Sequence, residues 1–311
     1  MRASRPLGEG DAIELAPDGG GGGPRQAAAA AAAEVAAAAT SGPQRVRAVE
    51  AKTALSPSGL EGLRWSLNPY RGCAHACAYC YAPSVLRIER AGWGTHVEVR
   101  QNLPALLAKE LKRKERGVVG LATVTDPYQP AEAELGVTRL CLEQLLRHGW
   151  PVSVLTKGDL VVRDIDLLSR FKEAEVGFTI TSLDEHQRRL LEPGAPPVAR
   201  RLAAMRLVAE SGVRAYAFIG PVYPTASVGE VRELVRKVHE AGGSSVMLDR
   251  LNLRPGVWDS VSRALAPDPV LQGLAKRRMF PRPGDEDFYK RALAAAAEEA
   301  EALGMGYSTA F

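Results

Sequence analysis

The chain has 311 residues, 46% apolar and 24% charged, with a formal net charge of +4. That is enough apolar material for a substantial core, and it excludes a chain disordered throughout. No uninterrupted apolar run of about 18 residues occurs, which excludes a hydrophobic membrane helix. Four cysteines, three of them crowded together, do not make a disulfide framework.

Residues 1–48 contain "GGGGGPRQAAAAAAAEVAAAATSGPQ". Such a stretch lacks the large side chains a core needs and is read as a disordered tail, its alanines capable of transient helix. The segment behind Arg2 and Arg5 is polar and Gly-rich, so no secretory signal is expected. The reading is a cytoplasmic, reduced protein.

From about Lys52 the pattern changes. Strand-like runs are expected at 63–68, 118–125, 151–156, 175–182, 213–220 and 244–249. Helical patterns alternate with them at 104–115, 133–149, 164–174, 199–212 and 228–243, and "ESG" and "EAGG" supply glycine stops. A last helix is expected over 285–305. Near-continuous apolar strands alternating with amphipathic helices predict a parallel α/β fold. Six units suit either a partial (β/α) barrel or an open doubly wound sheet. The expected organisation is a tail over 1–48, an α/β body over 49–260 and a C-terminal extension with a helix over 261–311. In such folds functional residues gather at the C-terminal ends of strands. Here those ends carry Thr125 and Asp126, Thr156 and Lys157, Thr179, Thr181 and Ser182, and Asp249 and Arg250.

The stretch "NPYRGCAHACAYCYAPS" places Cys73, Cys77 and Cys80 within eight residues. Three chemistries fit. A structural zinc needs a fourth ligand, for which only His75 or the distant Cys141 is on offer. A [4Fe–4S] cluster with three thiolates would leave one iron open to a ligand. Positions i, i+4 and i+7 also align on a helix as small core residues. The flanking Pro, Gly and aromatic residues favour a loop, and His75 is read as loop filler.

The motif Cys-x3-Cys-x-aromatic-Cys resembles that of the radical S-adenosylmethionine (SAM) superfamily. Within it the chain is similar to the branch that includes spore photoproduct lyase, often labelled DNA repair photolyase-like. The segments that carry this are "TVTDPYQPAE", "LTKGDLVVRDIDLL", "FTITS", "LEPGAPP" and "AFIGPVYP", in family order. The resemblance spans roughly residues 52–255. It implies a partial (β/α)6 barrel, and a [4Fe–4S] cluster held by Cys73, Cys77 and Cys80. It also implies SAM as cofactor and its cleavage to a 5′-deoxyadenosyl radical, which abstracts a hydrogen atom. Partners implied are a low-potential electron donor of the flavodoxin or ferredoxin type and a substrate that includes nucleic acid among its candidates.

Tyr79 is expected beside the adenine. Asp126, helped by Thr125, is expected at the SAM ammonium, Lys157 at its carboxylate, and Thr179 or Ser182 at its other polar groups. Weaker candidates for substrate or SAM contact are Arg163, Glu192, Arg250, Asn252 and Arg254.

The chain departs from the branch at Thr123. That position matches the cysteine from which spore photoproduct lyase returns a hydrogen atom, and a hydroxyl is a poor donor of one. Cys141, in "RLCLEQLL", is read as core. The competing readings are a radical SAM modifier of peptide, RNA or small molecule, a non-enzymatic metal-binding protein, and an Fe–S electron carrier. "KRRMFPRP" (276–283) is read as an exposed basic linker.

Overall fold

A computed structural model describes residues 45–310. Most of the expected tail, residues 1–44, lies outside the described residues. Its final residues do not belong to a tail: Arg45–Val49 form strand β1, which pairs in parallel with β5 (His96–Arg100).

The main sheet has eight strands among the described residues. Its order from one edge is β2 (Leu55–Pro57), β3 (Trp65–Leu67), β6 (Val119–Leu121), β7 (Val152–Thr156), β8 (Ala174–Thr179), β9 (Arg214–Ile219), β10 (Ser245–Leu248) and β11 (Gly306–Thr309). Only β2 is antiparallel. From β3 to β10 every strand lies beside its successor in chain order and runs parallel to it. A doubly wound sheet reverses direction at a switch point, and this one never does. The strands therefore form an open partial (β/α)6 barrel, and the six expected strands are its staves.

The expected boundaries shift for local reasons. Strand β6 stops at Leu121 because Ala122 takes φ +63°, so Thr123–Asp126 form a loop beyond the strand. The helix expected over 133–149 is split by Gly136, also at φ +63°, into Glu132–Leu135 and Val137–Arg147. The one expected over 164–174 is a 3-10 turn, Asp159–Asp164, and a short helix, Ile165–Leu168. The C-terminal region does more than add a helix. Phe288–Ala302 packs on helix Val228–Glu240, and β11 then extends the barrel sheet beside β10. Helices Glu185–Leu191, Val257–Leu265 and Pro269–Met279 were not expected. The first and third open on Asp184 and Asp268, whose side chains accept backbone N–H groups.

A second sheet, β1-β5-β4, was also missed. Its strand β4 (Tyr70–Arg71) is only two residues long, and it delivers the chain into the cysteine loop. The core is continuous from β2 through the last helix, and Cys141 sits inside it, fully buried. None of the helices among the described residues is long and apolar enough to cross a membrane.

The short edge strand β2 is held by a side chain. Glu110, buried at the end of helix Leu103–Glu110, accepts the N–H groups of Ala54 and Leu55, each at 2.9 Å, and pairs with Lys114 at 3.1 Å. Burial opposes its ionisation, but these donors outweigh it and hold the carboxyl below its ordinary range. A group with a depressed pKa contributes stability above its unfolded-state pKa and loses it as pH falls through the folded one. Glu110→Ala is expected to lower unfolding stability in urea by about 3 kcal/mol near neutral pH. The gap between variant and wild type should narrow on acidification below the carboxylate range.

Candidate active site

The cysteine loop lies at the C-terminal ends of the parallel strands. At its start Gly72 takes φ +89°, and a Cβ there would come within 2.4 Å of the His96 carbonyl oxygen, so the backbone leaves β4 pressed against β5. The loop is not helical. It makes two tight turns, Ala76 N–H to Cys73 O at 3.3 Å and Cys80 N–H to Cys77 O at 3.1 Å, with Ala76 at φ +53°. That rules out three cysteines on one buried helical face.

Cys73 and Cys77 are buried, Cys80 is half-buried, and all are free thiols. Burial pushes the Cys73 thiol well up, and Asp126, Cys77 and Cys80 nearby push it further. Burial raises Cys77 to about 12, against the pull of Lys157. Thiols near enough to raise one another's pKa, two of them buried, suit a cationic metal centre able to take them as thiolates. Neither candidate fourth zinc ligand joins them. His75 is buried with Nδ1 turned onto Asp126 Oδ2 at 3.3 Å, and Cys141 lies in the core helix beside Glu132. His75 is therefore no loop filler.

Two of the expected cofactor residues, Thr125 and Asp126, brace this loop. The Thr125 hydroxyl donates to Gly72 O at 2.6 Å. Asp126 accepts from Tyr128 N–H (2.9 Å) and the Thr156 hydroxyl (2.6 Å) on Oδ1, and from Lys157 N–H (2.7 Å) on Oδ2 beside His75. Burial disfavours its charge, yet His75 and these donors bring it to about 2. Asp126 thus joins the segments after β6 and β7 to the loop, its oxygens engaged by protein donors. Ser182 accepts the Asp184 N–H at 3.0 Å and serves the turn into helix Glu185–Leu191. Thr179 is buried at the end of β8, where its carbonyl accepts from Arg201 Nη1 at 3.1 Å.

Lys157 and Tyr79 do meet. The Lys157 ammonium sits 5.4 Å from the centre of the Tyr79 ring and has no ion-pair partner among the described residues. Burial works against its charge, but Cys77 and Glu192 more than offset this and raise its pKa. The Tyr79 hydroxyl donates to Glu192, which is wholly buried and ion-paired with the equally buried Arg201 at 2.6 Å. Of the weaker candidates, Arg163 is spent on Glu132 (2.6 Å) and Asp164 (2.8 Å), while Arg254 stacks over Tyr81 at 5.7 Å. The Tyr81 hydroxyl donates to Thr123 O at 3.1 Å.

Three further holders of the loop were not expected. Gln129, fully buried, accepts the Ala74 N–H at 2.9 Å, and Arg90 donates to Cys80 O at 2.8 Å. The segment 191–195 clamps the loop from the other side: Ala78 N–H to Leu191 O at 2.8 Å, and Gly194 N–H to His75 O at 3.1 Å. Gly194 is required by contact, since a Cβ there would lie 2.2 Å from the Ala74 carbonyl oxygen. The only sequence signal was "LEPGAPP" itself, where a glutamate beside Pro-Gly reads as an exposed turn.

A partial parallel barrel with a three-thiol loop at its strand ends defines a class of cluster-bearing enzymes, and the family comparison agrees. The Radical SAM superfamily model matches residues 67–238, and the chain belongs to that superfamily. Its members use a [4Fe–4S] cluster and SAM, and they need a reductant. Over 178 residues the chain is 36% identical to an uncharacterized protein of Methanocaldococcus jannaschii, covering 57% of this chain and 67% of that one. Over 202 residues it is 33% identical to an uncharacterized protein of Mycobacterium bovis, 61% of this chain but only 59% of that relative. Among solved structures it is similar in fold to spore photoproduct lyase complexed with dinucleoside spore photoproduct. That likeness has a TM-score of 0.65 at 17% identity, over 90% of this chain and 84% of that one.

Gly194→Ala is expected to push the clamp off the loop. After anaerobic reconstitution the variant should carry clearly less iron than wild type and melt lower. Full iron loading at unchanged melting temperature would show that the clamp does not hold the loop.

Proposed function

We propose that this protein is a radical SAM enzyme that abstracts a hydrogen atom from a modified nucleotide unit of a nucleic acid. The observation that carries the reading is the convergence of Cys73, Cys77 and Cys80 beside Lys157 and Tyr79 at the strand ends. Cys73, Cys77 and Cys80 would hold the cluster. When bound, the cluster supplies the electron that cleaves SAM to methionine and a 5′-deoxyadenosyl radical, which takes a hydrogen atom from a substrate C–H bond and leaves as 5′-deoxyadenosine. Lys157 would give the methionine carboxylate a half-buried cation with no direct ion-pair partner among the described residues. Tyr79 offers the ring for the adenine.

The nucleic-acid reading is supported by the fold shared with a lyase crystallised with a dinucleoside lesion. It is also supported by Arg254, placed over Tyr81 next to Thr123. The lyase reaction itself has less support. Thr123 has a hydroxyl where that pattern has a thiol, and Cys141 is buried away in the core. We therefore read the substrate class, not the lesion, as shared. The electron donor would be a low-potential carrier of the flavodoxin or ferredoxin type.

Reconstituted protein with dithionite and SAM is expected to form 5′-deoxyadenosine, and Cys77→Ala should lose both iron–sulfur absorption and this product. Retention of either would contradict the ligand assignment. Adding a cell-extract fraction should raise 5′-deoxyadenosine above background. That rise should survive protease treatment and vanish when nuclease digestion and filtration remove nucleic acid; the opposite pattern would sink the nucleic-acid reading.

A further inference from the structure

Glu192 and Arg201 bury a full carboxylate and a full guanidinium beside the cysteine loop, both with no exposed side-chain surface. Replacing such a pair by well-packed apolar residues is often neutral or stabilising, so stability alone is a poor reason for its presence. Its wiring is specific. One oxygen of Glu192 faces Arg201 Nη2 at 2.6 Å. The other accepts the Tyr79 hydroxyl and, at 3.1 Å, the Thr181 hydroxyl. Arg201 is itself bolted to the frame, donating to Pro196 O at 2.9 Å and to Thr179 O at 3.1 Å. The carboxylate is thus anchored to the end of β8 and to the clamp segment. Its charge survives burial because Arg201 and Lys157 hold its pKa at about 2.

The consequence falls on Tyr79. Its hydroxyl end is fixed by Glu192, and its edge rests on Tyr223, with ring centres 5.8 Å apart and planes at 61°. Its face is left for Lys157, whose ammonium lies 5.4 Å from the ring centre. A ring pinned at its far end cannot swing about its first side-chain torsion. A cation on its face is attracted by the ring quadrupole and held in place. No carboxylate of the described residues takes up that ammonium, so it stays available to an anionic group from outside the chain.

We propose that Glu192, held by Arg201, is a positioning residue for SAM: through the Tyr79 hydroxyl it fixes the ring, and with it the Lys157 ammonium, in the place where the ligand's adenine and carboxylate are received. This rests on the cofactor roles given above to Tyr79 and Lys157. It assigns Glu192 no contact with the ligand.

The test is a double-mutant cycle read on SAM binding. Glu192→Ala would strand a buried guanidinium and endanger folding, so the cycle uses Glu192→Gln and Tyr79→Phe, the latter leaving the ion pair intact. SAM affinity is measured by equilibrium dialysis on the reconstituted proteins. The change that SAM causes in the electron paramagnetic resonance spectrum of the reduced cluster is recorded alongside. Each single variant is expected to load iron as wild type does and to bind SAM about tenfold more weakly, the size of one lost charge-assisted hydrogen bond. The double variant should be no weaker than the weaker single, because both remove one shared contact. Each should also alter the SAM-induced spectrum. Additive losses, about a hundredfold in the double variant, or unchanged affinity with only a lower melting temperature, would overturn the proposal. Failure of wild type to bind SAM at all would instead count against the cofactor roles on which it rests.

Discussion

A loop that gathers three thiols into one small volume cannot satisfy its own backbone. The turns of residues 73–80 leave N–H and C=O groups facing inward, where an unpaired polar group costs on the order of 1–3 kcal/mol. The rest of the site follows from that constraint. Gln129 and Thr125 reach in from the loop after β6, Arg90 from the loop before β5, and Leu191 and Gly194 from the segment after β8. Asp126 gathers His75, Thr156 and the Lys157 amide into one buried anchor. Residues distant in the chain are conserved in purpose here by geometry: each answers one backbone group or one side chain of the loop.

The barrel makes this economical. Because consecutive strands lie side by side, the loops after β3, β6, β7 and β8 open at one end of the sheet in chain order. Helices Phe288–Ala302 and Val228–Glu240 cover the outside near the far edge, and β11 closes against β10. The cysteine loop therefore has neighbours from the three crossovers after β6, β7 and β8. The three-stranded sheet β1-β5-β4 supports it from below through Gly72, whose missing side chain admits the His96 carbonyl.

Two kinds of charge meet at the site. Asp126 and Glu192 are buried acids held by protein donors and an ion pair, and Lys157 is a half-buried base over an aromatic face. The Thr123 hydroxyl, after β6, donates to the Ser66 hydroxyl of β3 at 3.4 Å.

The amino-acid sequence by itself determined the six barrel strands, because apolar runs of four to eight residues are a local signal, and marked the cysteine trio, because Cys73, Cys77 and Cys80 are close along the chain. It also marked Lys157 and Tyr79. It left open whether the strands wind one way or two, because both orders share the same pattern of alternating elements. It missed β4 and β5, whose pairing joins residues separated by a long loop, and it did not reveal that Asp126 and Thr125 brace the cysteine loop. Glu192 was a weak candidate for substrate or SAM contact, and its burial against Arg201 and Tyr79, which depends on three segments meeting, was not legible. Only tertiary structure decides such roles: a side chain's partner in a buried site is set by which crossovers converge, and that information is spread over more than a hundred residues of chain.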